Sequence, residues 1–191
     1  RLKTSGWKHE PKCWEASRMS IRLAARCLSA LCAGLAVLGL ALVSHAQSVD
    51  VELASKIILK IMMLDQDLQK KTSGKIQIGV IGSPQAVAAF TKLKGSPIDK
   101  ESIFSIAGVV AYDAMPPREK PTFIFVGEGA DPAIVTEYTR GNGVLSVTNV
   151  ADFVAKGVTL GIQMENNKPK VLLNLTSSES EGLNWDPKIL K

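Results

Sequence analysis

Two passages of this chain repeat one pattern, and that repeat limits the possible folds more than any other feature. In each passage a β-branched or aromatic run stops at a glycine, and a capping residue followed by proline then opens a helical stretch. The runs are Ile76–Ile81 and Thr122–Val126, the glycines Gly82 and Gly127, the caps Ser83 and Asp131, and the helical stretches Gln85–Leu93 and Ala133–Thr139. Serine and aspartate favour the N-cap, and proline suits the first helical position because its missing N–H needs no partner there. The repeat predicts parallel βα units whose helices cover the sheet.

The remaining segments extend this pattern in both directions. Asp50–Lys71 has apolar residues at steps of three and four, so we expect one long amphipathic helix. Ser102–Ala111 and Val144–Val147 are expected as further strands. The paired prolines of Asp113–Lys120 predict a loop, since proline disrupts both helix and strand.

The C-terminal part has a different character. Val158–Met164 and Lys170–Leu175 flank the turn-rich spacer Glu165–Pro169, which predicts a β-hairpin. Ser177–Gly182 predicts a short helix with an acidic first turn and a glycine stop. The predicted fold class is therefore α/β: a single compact domain with a mostly parallel central sheet flanked by helices, and a C-terminal β-hairpin.

The basic excess of the chain is confined to its beginning. The whole chain has 23 lysines and arginines against 18 acidic residues, but seven of the basic and two of the acidic residues precede Gln47. The remainder is therefore neutral, which argues against nucleic-acid binding. A basic stretch from Met19, the apolar run Leu28–Val43 and the small residues before Gln47 predict a signal peptide cleaved after Ala46. The alternative is a membrane anchor, for which sixteen apolar residues are short.

These boundaries divide the chain into three predicted parts. Residues 1–18 are expected to be a non-native or upstream extension, residues 19–46 a signal peptide, and residues 47–191 one α/β domain. After cleavage we expect no stable membrane insertion.

The predicted mature chain lacks the residues that most catalytic and metal sites need. All cysteines and histidines precede Gln47, which excludes Ser-His-Asp and Cys-His nucleophiles, His or Cys metal sites and disulfides from the mature part. The passage Gly79–Gly82 lacks the third glycine and the lysine of phosphate-binding loops. Glu128 and Asp131 could bind a cation, but no second acidic cluster accompanies them. We therefore expect neither an enzyme nor a cofactor.

The last third of the chain carries a family resemblance. It combines a strand ending in Val-Thr-Asn149, a phenylalanine and glycine at 153 and 157, a hairpin ending in Leu-Asn174-Leu, the pair Gly182-Leu183 and a final Ile189-Leu190. This order resembles the closing pattern of the YfiR-like periplasmic proteins, and the first half follows the family's order more loosely. The chain departs from many members in lacking a Trp-Pro pair after the first helix and cysteines in the mature domain.

The resemblance implies a Rossmann-like outline without the nucleotide motif, a periplasmic location and a regulatory role. The best-known member is a dimeric repressor that binds the periplasmic sensor region of an inner-membrane diguanylate cyclase, and so controls cyclic-di-GMP and biofilm formation. The expected partner is thus the periplasmic domain of such a cyclase or of a sensor kinase, with a homodimer also expected. The expected contact surface is Val158–Leu183, with Asn174, Glu181 and Leu183 as partner-binding residues.

A second function stays open. The chain could be a small-ligand sensor or solute-binding protein that uses the crevice at the carboxyl ends of the strands, near Ser83, Glu128 and Asp131. For Asn174, we expect its amide to tie the hairpin to an adjacent loop rather than to contact a ligand.

Overall fold

The computed structural model describes residues 49–96, 98 and 103–190. The predicted extension 1–18 and signal peptide 19–46 lie outside the described residues. Among the described residues, no helix has the length and apolar character needed to cross a membrane.

The centre of the fold is one six-stranded sheet with the strand order β2-β1-β3-β4-β5-β6. Its strands are β1 (Lys75–Ile81), β2 (Ser105–Tyr112), β3 (Phe123–Val126), β4 (Leu145–Thr148), β5 (Leu160–Glu165) and β6 (Lys168–Leu173). All neighbouring pairs are parallel except β5 and β6, which are antiparallel. The predicted fold class, including the C-terminal antiparallel pair, is confirmed.

Helices pack against both faces of this sheet. They are α1 (Val51–Met62), α2 (Leu68–Thr72), α3 (Pro84–Lys92), α4 (Pro132–Asn142), α5 (Ala151–Ala155) and α6 (Leu175–Ser180), with a 3-10 turn at Pro187–Leu190. Because strand side chains alternate between faces, β3 supplies Phe123 and Phe125 to the core beneath α1 and α3, and Ile124 to the core beneath α4 and α5.

The prediction of one helix over Asp50–Lys71 is wrong, because the chain turns between α1 and α2. The C-terminal segment forms backbone hydrogen bonds with the turn between α1 and α2. The N–H of Gln66 donates to the carbonyl of Asn184, and the N–H of Asp186 donates to the carbonyl of Leu64, both at 2.8 Å. Asp65 is buried there and forms an isolated β-bridge with Trp185. Apolar spacing predicted the buried faces but could not reveal these contacts with a distant segment.

Two predicted boundaries near the C-terminus are also wrong. The strands extend into the predicted five-residue spacer, which leaves only Asn166 and Asn167, both with positive φ, as the turn. The last α-helix begins at Leu175 rather than Ser177, so it has no acidic residue in its first turn. The reason is that Asn174 caps this helix, which places Glu181 after its end.

Candidate functional site

A cleft opens where the order of the parallel strands reverses. From β1 the chain moves to β2 on one side and then crosses to β3 on the other, so the carboxyl ends of β1 and β3 mark a topological switch point. A cleft of about 790 Å³ lies at this point, lined by residues from the loops after β1, β2 and β3 and from the start of α4. Clefts in this position are the usual ligand sites of open α/β sheets.

Glycines let the loops after β1 and β3 pack directly on each other. Gly82 has a φ of 71°, and a side chain there would collide with the backbone at Ala130. The N–H of Gly127 donates to the carbonyl of Ile81 at 2.8 Å, and the N–H of Gly129 donates to the carbonyl of Gly82 at 3.1 Å. These glycines therefore allow the loops after β1 and β3 to contact each other directly. The contact between the two loops stabilises the floor of the cleft.

The structure brings two of the three predicted crevice residues to the cleft. Ser83 Oγ accepts a hydrogen bond from the N–H of Ala86 at 3.2 Å, and Asp131 Oδ1 accepts one from the N–H of Ala133 at 2.9 Å. Both predicted helix caps are thus confirmed, and both residues line the cleft. Glu128 is exposed and lies outside the lining. Within the described part of the chain, no cluster of three or more acidic or histidine side chains could hold a metal.

The cleft walls combine apolar side chains with two carboxylates. Met115 and Ile134 supply apolar surface, Asp113 and Asp131 supply the acids, and no lysine or arginine is among the lining residues that the structure describes. The hydroxyl of Tyr112 donates to the carbonyl of Glu119 at 3.3 Å. Burial, with smaller contributions from Tyr138 and Glu119, raises the pKa of Tyr112 above its usual value. Such walls favour a neutral or cationic ligand with an apolar body over a phosphate.

Sequence reasoning missed the contribution of the last residue of β2 and of the loop that follows it. Tyr112, Asp113 and Met115 all line the cleft. The signal available in the sequence was that these residues follow a predicted strand, which places them near the carboxyl edge of the sheet. Using it requires knowing that β2 lies beside β1, and the local pattern does not specify that pairing.

The second predicted site is the surface formed by β5, β6 and α6, which we call the C-terminal surface (Val158–Leu183). Asn174 is half-buried and follows β6 rather than lying inside a strand. Its Oδ1 accepts from the N–H of Ser177 at 3.0 Å, and its Nδ2 donates to the carbonyl of Val154 at 3.1 Å. The amide thus ties the end of the hairpin to a neighbouring segment as expected, although that segment is α5 rather than a loop.

Glu181 is fully buried beneath this surface. Its carboxylate accepts hydrogen bonds from Thr139 Oγ1 at 2.7 Å, Ser146 Oγ at 2.6 Å and the N–H of Ser146 at 3.1 Å. Burial raises the pKa of Glu181, and these hydrogen bonds act in the opposite direction. The carboxylate therefore joins α4, β4 and the end of α6 from inside the fold.

The predicted partner-binding residues thus have internal contacts in this structure. Leu183 is half-buried against the core beneath α1 and α3. The exposed apolar side chains of the C-terminal surface are instead Val171, with 39% of its area exposed, and Leu175, with 54%. Sequence reasoning missed both. Contact of Asn174, Glu181 and Leu183 with a partner stays a prediction, whereas Val171 and Leu175 are accessible to one directly.

Replacing Asn174 with alanine is expected to lower the free energy of unfolding by about 1 to 3 kcal/mol, since the N–H of Ser177 and the carbonyl of Val154 lose their partner. Urea denaturation of the two proteins measures this loss. Asn174→Asp retains an acceptor for the helix cap and should lose less. Unchanged stability in Asn174→Ala together with lost partner binding would make Asn174 a contact residue instead.

One comparison with known proteins found a match to a protein family. A family described as YfiR/HmsC-like matches residues 53–191, which include all six strands, the cleft and the C-terminal surface. No curated protein matches the chain.

Proposed function

Because the chain belongs to the YfiR/HmsC-like family, we propose that it is a periplasmic signalling adaptor. In this proposal it binds and represses the periplasmic sensor region of an inner-membrane diguanylate cyclase or sensor kinase, and so controls cyclic-di-GMP signalling and biofilm formation. The family match over residues 53–191 carries the proposal. The absence of cysteine and histidine after His45 supports a binding role over a catalytic one.

The C-terminal surface is the proposed contact with the membrane partner. Val171 and Leu175 give it two exposed apolar side chains at the end of the sheet. Lys170 adds a cationic rim, although its ammonium is already 2.9 Å from Glu165. Apolar side chains that become fully buried at the centre of an interface contribute most of the binding energy, while a rim charge contributes mainly to orientation.

Leu175→Asp is expected to weaken binding to the partner at least about tenfold, or about 1.4 kcal/mol, since an unpaired carboxylate must be desolvated in place of a leucine. The measurement is a quantitative pull-down against the periplasmic segment of a membrane cyclase or kinase encoded next to this protein. Ile134→Asp is the matched control, because Ile134 is 53% exposed but lies on α4 at the cleft.

Two results would contradict this assignment. Absence of wild-type binding would reject the adaptor function, and equal losses in the Leu175 and Ile134 variants would reject the proposed surface. The pull-down is repeated with dithiothreitol and with EDTA, and binding should be indifferent to both reagents. Loss of binding in EDTA would instead indicate an oxygen-ligand metal site, with Glu128 and Asp131 as the first residues to test.

The cleft at the switch point supports a second candidate function, a small-ligand sensor. Its volume suits a metabolite-sized molecule, and Asp113 and Asp131 favour an amine with an apolar body. A ligand of this kind would raise the melting temperature by mass action. Gene neighbourhood separates the two functions, because an adaptor belongs beside a membrane cyclase or kinase and a solute-binding protein beside a transporter.

A further inference from the structure

We propose, on the basis of the second candidate function, the small-ligand sensor, that Asp113 binds the ammonium group of a ligand in the cleft at the switch point. The cleft then selects organic cations, primary amines with an apolar body. An alcohol or a carboxylate with the same apolar body should bind more weakly.

The first observation is that the helix N-termini at this cleft offer little to an anion. Anions at switch-point clefts of α/β sheets usually bind the free N–H groups at the start of a helix. Both helices that begin here, α3 and α4, start with a proline, Pro84 or Pro132, which has no N–H. A further N–H of each first turn already donates to the capping side chain, Ser83 or Asp131.

The cap of α4 also brings a negative charge to the cleft. Asp131 uses Oδ1 to accept from the N–H of Ala133, and its Oδ2 has no partner among the described residues. A carboxylate at a helix N-terminus offsets the positive end of the helix dipole. This wall of the cleft therefore attracts a cation rather than an anion.

Asp113 is the acid of the cleft that has no internal role. It follows β2 directly and is exposed, and its carboxylate neither accepts a hydrogen bond nor forms an ion pair among the described residues. Arg118 shares with it a neighbouring cavity of about 560 Å³, but no ion pair joins the two side chains. A carboxylate without a partner can form a charge-assisted hydrogen bond with an ammonium group, so Asp113 is the primary contact and Asp131 Oδ2 the second.

The remaining walls fit the apolar body of such a ligand. Ile134 has 53% of its area exposed and lies on the cleft wall, where Tyr112 and Met115 add a ring and a thioether. Covering these side chains with an apolar body removes their surface from water. A small inorganic cation would leave this surface uncovered, and a hydrocarbon would leave both acids without a partner. The walls are therefore complementary to a ligand that has both parts.

The experiment is an NMR titration of isotope-labelled protein, purified from cells that express the full chain, with three probes that share one apolar body. The probes are phenylbutylamine, phenylbutanol and phenylbutyrate, at concentrations up to about 10 mM because ligands of this size bind weakly. The amine should shift the amides at 111–115 and 129–135 saturably and bind at least about fivefold more tightly than the alcohol. The carboxylate should bind more weakly than the alcohol, since both acids repel it.

Three variants test the assignment of the binding residue. Asp113→Asn should lower the affinity for the amine at least about threefold and leave the alcohol unchanged. Asp131→Asn retains an acceptor for the helix cap and should have a smaller effect. Glu128→Gln is the matched control, because it removes an exposed carboxylate from the loop after β3 that lies outside the cleft lining, and it should leave amine binding unchanged. The amide spectrum of each variant reports its folding, and Asp113→Ser replaces Asp113→Asn if that variant does not fold.

Three outcomes overturn the proposal. They are an amine that shifts none of these amides, an alcohol or carboxylate that binds as tightly as the amine, and a Glu128 variant that loses as much affinity as the Asp113 variant. Equal binding of the alcohol or carboxylate rejects the cation assignment and retains the small-ligand sensor. If no probe binds, the cation assignment fails and gene neighbourhood decides the sensor function separately. The pull-down that tests the adaptor contains none of these probes, so its result is independent.

Discussion

Replacing Glu181 with alanine is expected to lower the free energy of unfolding by about 3 to 5 kcal/mol. The reason is that three buried donors lose the carboxylate as their acceptor at once: the hydroxyls of Thr139 and Ser146 and the N–H of Ser146. Of these, the Thr139 hydroxyl retains a longer hydrogen bond of 3.3 Å to the carbonyl of Thr136. A buried donor without a partner costs about 1 to 3 kcal/mol, and a rotating hydroxyl recovers part of that. Urea denaturation at constant pH measures the loss. A loss below about 1 kcal/mol would mean that water or rearranged side chains replace the carboxylate.

The same carboxyl also gives stability a defined pH dependence. Burial raises the pKa of Glu181 above its ordinary value of 4.5, so the folded state holds this proton more tightly than the unfolded state does. The resulting stabilisation is complete below the unfolded pKa and is lost as pH rises through the folded pKa. Glu181→Gln stays neutral at every pH and is the control. The unfolding free energy of the wild type minus that of this variant should fall as pH rises from about 4.5, and a flat or rising difference would contradict the assignment.

Local signals were sufficient to predict the βα units. Ser83 and Asp131 act on N–H groups two or three residues away, and Gly82 and Gly127 end their strands within the same short passages. Interactions of this range are present in any short window of sequence, so the strands, caps and helices could be predicted together.

Contacts between distant segments explain most of what could not be predicted. The break between α1 and α2 is fixed by Asn184 and Trp185, which are more than a hundred residues from Asp65. The burial of Glu181 depends on hydroxyls from α4 and β4, and periodicity does not encode such pairings. Glu181 is predicted from the sequence as a partner-binding residue, and acidic side chains are seldom fully buried, so its burial is a difference from that expectation.

The cleft residues also divide into those that local signals predict and those that only contacts between distant segments explain. Ser83 and Asp131 could be assigned to it because each follows a strand and opens a helix, which places both at one edge of a parallel sheet. Glu128 was assigned to the crevice because it is acidic and follows β3. The packing of Gly127 and Gly129 against the loop after β1 leaves its side chain in solvent, and only the three-dimensional contact of the two loops reveals this.

Phe90→Ala is expected to lower the free energy of unfolding by about 3 to 5 kcal/mol, the usual range for a fully buried aromatic side chain. Phe90 is the main aromatic anchor of α3 on the sheet. Its ring packs edge-to-face against Phe123 and Phe125, with centroids 5.6 Å and 5.8 Å away. Edge-to-face pairs add to the energy of burial, so the alanine variant loses both the apolar area and two ring contacts.

The consequence of this variant should extend to the cleft, because α3 begins at the cleft wall beside Ser83. Urea denaturation measures the stability loss, and hydrogen exchange of the amides at 84–92 reports whether α3 loosens more than the rest of the sheet. Phe90→Leu keeps most of the volume and is the matched control, with a smaller expected loss because less of a cavity forms. Both variants lack the ring pairs, so equal losses would show that the ring contacts account for the whole effect and that the cavity contributes little. A uniform rise in exchange across all strands would contradict local loosening of α3. It would show that α3 and the cleft wall unfold only together with the whole domain.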